Sequence, residues 1–337
     1  MAFPTCDSFL PSISNTATRT IHCYPVVVNK SNIRASRGAP LLAYDAAAAA
    51  KTSRQQTVSI EGTNITYNRP VFHTTEFWGS EKTKEEIIDY AARAVFGYDR
   101  YGNSRNKECI DVISAEPPFF IVHDFLDEDM CGELIRTAER CGLNRSRVGA
   151  TQNTQERRTS QQVWLSEGTQ ELEDPLPLRR FATQVSRLTG LPPNHQENLQ
   201  VVRYEEGQRF DLHVDHLDEF NDLACRGRLA TCLLYLNSAD CCDSTPNMMN
   251  GNASSSFTGG ETGFPEFKMD VVPKRGSAIF WWNTMERPGS EGYDCEMFLN
   301  SDVRMRHAGL PILSGQKWVA NRWVHPIPLK QDVIGED

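Results

Sequence analysis

From Leu199 to Val324 the chain is a succession of short β-branched and aromatic runs, "LQVVRYEEG", "RFDLHVD", "RLATCLLYLN", "KMDVVPKRGSAIFWW", "HAGLPILSG" and "KWVANRWV", each bounded by turn residues. Runs of this kind read as strands, and so many in sequence restrict the architectures open to the chain. The residues ahead of them carry a different period. In "KTKEEIIDYAARAVFG", Ile87, Ala91, Ala94 and Val95 recur at helical spacing. "DEDMCGELIRTAERCG" starts with acidic residues and has Gly142 just beyond its end, and "LPLRRFATQVSRLTG" stops at Gly190. Before these two helices stands "PPFFIVHDFL", a short apolar strand. Helices first and antiparallel strands afterwards predict an α+β domain built on a sandwich or jelly roll.

Two polar stretches interrupt the strands. "NSADCCDSTPNMMNGNASSSFTGG" is too rich in Gly, Ser and Asn for a core and predicts a surface loop inserted near 237–258; a second insertion runs near 283–304. At the other end, residues 1 to about 60, including "AYDAAAAAKTSRQQ", show no sustained period and predict a poorly ordered arm with room for one short helix. The expected organisation is a poorly ordered or accessory segment over 1–80, a helical lead-in over 81–116 and the main domain over 117–330.

Charge narrows the partners. With 35 basic against 44 acidic residues, a net charge of -9, the chain is not built as a general nucleic-acid binder, which needs clustered Lys and Arg. No stretch approaches the roughly 20 apolar residues that cross a bilayer, and the opening "MAFPTCDSFLPSISNTATRT" lacks a basic start and an apolar centre. The ten cysteines form no C-x-x-C pair of a zinc or redox site.

Within the strands, "DLHVDHLDEF" holds two overlapping His-x-Asp triplets, His213 with Asp215 and His216 with Asp218. Side chains two apart on a strand share a face, so either triplet presents an imidazole beside a carboxylate. Alternation favours the first: Phe210, Leu212 and Val214 would pack, leaving Asp211, His213 and Asp215 on the open face, with His216 and Asp218 as bystanders at the strand's end. Two histidines and one carboxylate make the facial triad that holds Fe(II) with positions left open. Downstream of the triplets only His307 and His325 remain to complete it.

Together "YEEGQRFDLHVD", "RLATCLLYL", "GGETGFP", "PKRGSAIFWW" and "RHAGLPILSGQKWVANRWVH", in this order, resemble the catalytic core of the prolyl 4-hydroxylases, within the Fe(II)/2-oxoglutarate dioxygenase superfamily. The match runs from about Pro117 to His325. The resemblance implies a double-stranded β-helix (jelly roll) core flanked by N-terminal helices. It makes His213, Asp215 and His307 the iron ligands and gives Lys317 the distal carboxylate of 2-oxoglutarate, where a buried ammonium is an effective counter-charge. Tyr204 matches a tyrosine that hydrogen-bonds this cosubstrate, and Thr262 falls where a hydroxyl can approach the same carboxylate.

For the peptide, "RRTSQQVWL" resembles a strand-loop that closes over a proline-containing substrate and places Arg158, Ser160 and Trp164 at matching positions; Arg228, Trp323 and His325 match groove residues. An extended proline-rich segment suits such a groove, because it arrives ordered as polyproline II and stacks on aromatic walls. Phe210 departs from the related enzymes, which often carry a tyrosine there, and the two insertions exceed the compact pattern.

The implied activity is hydroxylation of proline at carbon 4 in a peptide or protein, consuming 2-oxoglutarate and dioxygen at Fe(II), releasing succinate and CO2, and sustained by ascorbate. An oxygenase of the same chemistry acting on another residue or a small molecule is the nearer alternative. A non-catalytic binder of proline-rich peptides is the more distant one. Family members often reside in the endoplasmic reticulum, whereas the opening residues carry no visible signal peptide, so a cytoplasmic location stays open, as does the oligomeric state.

Overall fold

The computed structural model describes residues 55–59, 66–70, 82–146, 158–217, 227–240, 257–285 and 299–329. Most of the arm over residues 1 to about 60, the greater part of both insertions and Asp218 lie outside them. An antiparallel pair, β1 (Gln55–Ser59) and β2 (Thr66–Pro70), stands in the segment that sequence reading left without structure.

The first helix, α1 (Lys84–Phe96), starts where Thr83 and Glu86 form a reciprocal capping box, each side chain accepting from the other's backbone N–H. Strands β3 (Ile110–Ser114) and β4 (Phe119–Val122) follow, then α2 (Glu128–Cys141), capped by the Asp127 carboxylate. Next come β5 (Asn144–Arg145), β6 (Gln161–Leu165) and α3 (Leu176–Thr189), which ends at Gly190 with φ 71°. That left-handed position is one a glycine adopts without strain.

The strand-rich half supplies β7 (Leu199–Glu205), β8 (Phe210–His213), β9 (Ala230–Tyr235), β10 (Thr258–Gly259) and β11 (Thr262–Phe264). It ends with β12 (Met269–Val271), β13 (Ala278–Trp282), β14 (His307–Gly309), β15 (Ile312–Ser314) and β16 (Gln316–Val324). Among the described residues every strand-to-strand ladder is antiparallel. An eight-stranded sheet runs in the order β3-β4-β13-β9-β16-β7-β6-β5 and a four-stranded sheet in the order β12-β11-β14-β8, with β10 and β15 paired separately. The architecture is mostly antiparallel β-sheet with three helices.

Alternation along the central strands divides the core in two. On β13, Ala278, Phe280 and Trp282 pack with Ile87, Leu134, Phe181 and other residues of the three helices. Ile279 and Trp281 point the other way and join Phe264 and Val271 of the small sheet. Each central strand is therefore buried on both faces, which accounts for apolar runs without a polar side. The helices cover one face of the large sheet and the small sheet covers the other, so a cavity between the sheets is walled by strands whose backs are already packed.

Candidate metal centre and ligand pocket

Three side chains that can ligate a metal converge between the sheets. His213 ends β8, Asp215 lies two residues beyond it, and His307 opens β14; one donor atom of each lies within 4.8 Å of the others. His213 and His307 are register partners across the β8–β14 pair. The carboxylate bridges the rings, with Oδ1 at 3.6 Å from His213 Nε2 and Oδ2 at 3.9 Å from His307 Nε2.

The hydrogen bonds on the far side of each ring suit this donor set. His213 Nδ1 faces the carbonyl oxygen of Asp211 at 2.8 Å, and His307 Nδ1 faces that of Met305 at 3.0 Å. A carbonyl only accepts, so each Nδ1 carries the proton and each Nε2 turns a lone pair inward. Burial, with His213 alongside, pushes His307 down to about 4, which keeps its ring neutral and able to ligate at neutral pH. Burial resists ionisation of Asp215, but attraction to His307 and His213 in their protonated forms outweighs it and holds the group below the usual carboxylate range. Two neutral imidazole nitrogens and one carboxylate oxygen, on one side of a pocket, fit Fe(II).

The expectation about alternation on β8 needs correction. Leu212 is 41% exposed rather than packed, and Phe210 lines the pocket beside His213, their rings stacked at 3.7 Å. The strand stops at His213 and its pairing with β14 shifts register between His307 and Gly309. A bulge of this kind re-aims side chains. His213 and Asp215 thus reach the cluster because the strand ends, not because it continues. His216 is fully buried outside the cluster.

The same pocket is lined by Lys317, buried on β16 opposite Tyr204 of β7. Its Nζ donates to the carbonyl oxygen of Gly260 at 2.6 Å and lies 5.7 and 5.4 Å from the ring centroids of Tyr204 and Tyr235. Burial pushes the ammonium down to about 7, although Glu261 partly offsets this. A buried cation with one neutral acceptor is suited to an added carboxylate. Thr262, also in the pocket wall, accepts from the Tyr235 hydroxyl at 2.7 Å, which leaves its own O–H free to donate elsewhere.

The expected peptide-contacting residues are placed less uniformly. Trp323 lines the pocket. The Arg228 guanidinium lies 3.6 Å from its ring centroid, and Trp164 of β6 is 5.9 Å away, ring to ring. Arg228 and His325 both donate to Glu197, at 2.6 and 2.8 Å. Arg158 lies over Phe210 at 4.7 Å and donates to Gln200 and Ser160. Ser160 is fully buried and bonds Ser146, so its hydroxyl faces the interior. Arg158, Ser160, Trp164, Arg228 and His325 are not among the residues that line this pocket.

Several participants escaped sequence reading. Glu197 holds two cationic or proton-donating partners just ahead of β7, and Asn321 of β16 lines the pocket while donating to Gln200 at 3.1 Å. Thr231 donates to Asp215 Oδ2 at 2.7 Å. The signal available for Thr231 was a hydroxyl inside the otherwise apolar run "RLATCLLYL".

Comparison with known proteins places the chain among similar sequences. The family model of the 2OG-Fe(II) oxygenase superfamily matches residues 199–325. The chain is 31% identical to probable prolyl 4-hydroxylase 8 of Arabidopsis thaliana over 79% of this chain and 84% of that protein. Prolyl 4-hydroxylase 5 of the same plant is 30% identical over 67% of this chain and 74% of its own. A solved viral collagen prolyl hydroxylase of Paramecium Bursaria Chlorella virus-1, in its 2OG complex, aligns with 62% of this chain and 96% of its own at 26% identity, with a TM-score of 0.44.

Proposed function

The chain belongs to the prolyl 4-hydroxylase family of the 2-oxoglutarate–Fe(II) oxygenase superfamily, and we propose from that premise that it hydroxylates proline at carbon 4 in a peptide or protein. It is an Fe(II)/2-oxoglutarate-dependent dioxygenase, with ascorbate as the reductant typical of the family. The observation that carries the reading is one pocket lined by both the His213–Asp215–His307 cluster and a buried Lys317. The two facing sheets are read as the double-stranded β-helix, or jelly roll. Residues 117–330 are read as the catalytic domain and 81–116 as its helical lead-in.

Bound together, Fe(II), 2-oxoglutarate and dioxygen supply the oxidising chemistry that replaces C–H by C–OH and releases succinate and CO2. The chain's own part is placement. His213, Asp215 and His307 are assigned to the metal, with the carbonyls of Asp211 and Met305 keeping each Nε2 unprotonated. Lys317 is assigned to the far carboxylate of 2-oxoglutarate, with Tyr204 and the free O–H of Thr262 as neutral donors to the same molecule. Leu233, Trp281 and Val319 give the pocket apolar walls that limit water near the reacting groups.

The substrate reading assigns the face around Trp323 to an extended proline-rich segment. Trp323 and Trp164 offer aromatic rings to pyrrolidines, while Arg228 and His325, fixed by Glu197, and Arg158 frame the approach; Ser160, turned inward, supports Arg158 by accepting from its Nε. Aromatic walls flanked by hydrogen-bond donors suit polyproline II, whose carbonyls are unpaired. The deciding experiment is succinate release with Fe(II), 2-oxoglutarate and ascorbate, with and without a poly-proline peptide. The expected result is peptide-stimulated turnover matched by a gain of about 16 Da on proline, one oxygen atom per event. Iron-dependent turnover that ignores the peptide would retain the oxygenase and reject proline as its target.

A further inference from the structure

We infer that Thr231 and Asn283 are positioning residues for the metal carboxylate: a one-way hydrogen-bond chain from Asn283 through Thr231 occupies Oδ2 of Asp215, so that the side chain ligates through Oδ1 alone. The inference rests on the metal-site reading above and deepens it.

A threonine in the middle of this sheet requires a reason. Thr231 lies on β9 between Ala230 and Cys232, both fully buried, and is itself 1% exposed. Valine has the same shape and the same preference for strands. A hydroxyl in a dry interior is costly unless it is bonded, so the polar atom is retained only with partners. Thr231 has two: Oγ1 donates to Asp215 Oδ2 at 2.7 Å, and Asn283 Nδ2 donates to Oγ1 at 2.8 Å.

The direction of the chain follows from counting hydrogens. A threonine hydroxyl has one proton, and Oγ1 also lies 3.2 Å from Asn283 Oδ1. The shorter bond to an ionised acceptor is the stronger, so the proton goes to Asp215. Asn283 is then the donor at the start of the chain and the carboxylate the acceptor at its end.

Asn283 is well anchored for this role. It follows the last residue of β13, its backbone N–H donates to Leu229 O and its carbonyl accepts from Asp302 N–H, both at 2.9 Å. The backbone of Asn283 is therefore fixed from both sides, and its side-chain amide donates to Thr231. Asp215, beyond the end of β8, has no such support from its own strand.

The chemical consequence concerns free coordination positions. In a site with two histidines and one carboxylate, a carboxylate that ligated through both oxygens would take a position the small reactants need. With Oδ2 accepting from Thr231, Oδ1 keeps the greater share of the carboxylate's basicity and is favoured for the metal. Partners of this kind tune metal affinity by about 10–100-fold when removed.

The test uses full-length Thr231→Val, Thr231→Ser and Asn283→Leu proteins and reads anaerobic Fe(II) affinity without peptide or 2-oxoglutarate, beside thermal melting of the metal-free forms. Thr231→Val should bind Fe(II) about 10–100-fold more weakly, Thr231→Ser should restore affinity, and Asn283→Leu should lose a smaller factor. A purely structural role would lower the melting temperature and leave metal affinity alone. Wild-type affinity in folded Thr231→Val overturns the inference; if that variant does not fold, wild-type affinity in Asn283→Leu does so. Failure of the unmodified protein to bind Fe(II) would instead overturn the metal-site reading itself.

Discussion

His213 and His307 face each other directly across the antiparallel β8–β14 pair, with ring centroids 4.3 Å apart and planes inclined at 55°. Ladder hydrogen bonds set this juxtaposition before any metal enters. Phe264 stacks on the His307 ring at 5.5 Å, and Trp281 meets it edge-on at 4.9 Å. The rings are thus held by packing, while the carbonyls behind them select the tautomer. Such a site is organised to receive an ion rather than assembled by one.

The first prediction separates the two histidines of "DLHVDHLDEF". His213→Ala and His307→Ala should each weaken Fe(II) binding by more than about 100-fold, since loss of a ligand exceeds loss of a group that merely orients one. His216→Ala should keep its metal. That residue is fully buried, so truncation there should cost about 2–4 kcal/mol of stability, as for other large-to-small changes in a core. Calorimetric metal titration beside urea unfolding tests both halves, and comparable metal loss in His216→Ala would sink the ligand assignment.

The second concerns pH and Lys317, which burial holds down to about 7 in the ligand-free protein. Its unfolded value is about 10.4. Between these values the unfolded chain binds more protons, so the ligand-free fold should gain stability from this group as pH rises from about 7 towards 10. Cosubstrate binding has the opposite slope, because an incoming carboxylate favours the charged ammonium. Affinity for 2-oxoglutarate should therefore fall above pH 7, by at most about tenfold per unit. Titration with Mn(II) in place of iron measures it. An unchanged slope in Lys317→Met would remove this residue from the carboxylate site.

Local pattern conveyed the elements well. Helical spacing of Ile87, Ala91, Ala94 and Val95 and the stops at Gly142 and Gly190 correspond to α1, α2 and α3. Strand signals after Leu199 were strong because both faces of each central strand are apolar. Less legible was anything set by the end of a strand. Alternation across Phe210–Asp215 misplaces Phe210 and Leu212, since the bulge and the strand's termination break the period. Contacts between distant segments were hidden for another reason. Nothing local in Glu197 says that it receives Arg228 and His325, because the three meet only when β16 reaches the beginning of β7.

The third prediction tests the support beneath Lys317. Gly260 has φ +70°, and a Cβ there would stand 2.4 Å from Ile312 Cδ1 and 3.2 Å from Lys317 Cδ. Gly260→Ala should destabilise the fold by about 1–3 kcal/mol through backbone strain alone. It should also raise KM for 2-oxoglutarate more than it lowers kcat, because the displaced group holds cosubstrate. Steady-state kinetics distinguishes the two, and an unaltered KM in a folded variant would show that the carbonyl of Gly260 does not set the lysine's position.

The last prediction addresses the cluster behind Trp323. Burial alone would raise Glu197, but Arg228 and His325 outweigh it and bring the carboxyl down to about 2. An unfolded glutamate titrates near 4.3, so the stabilisation is present above that value and is lost as pH falls towards 2. Arg228→Met keeps much of the side chain's bulk but removes the main cation. It should cost about 1–3 kcal/mol at neutral pH, less than a fully enclosed pair because Arg228 retains 25% of its side-chain exposure. The acid-unfolding midpoint should also move up, since Glu197 then gives up its charge at a higher pH. The same variant frees the ring of Trp323 from the guanidinium 3.6 Å away, so peptide KM should rise while 2-oxoglutarate KM stays near its original value. A raised acid midpoint with unchanged peptide KM would make the cluster a structural clamp alone, and the peptide face would have to be sought elsewhere around the pocket.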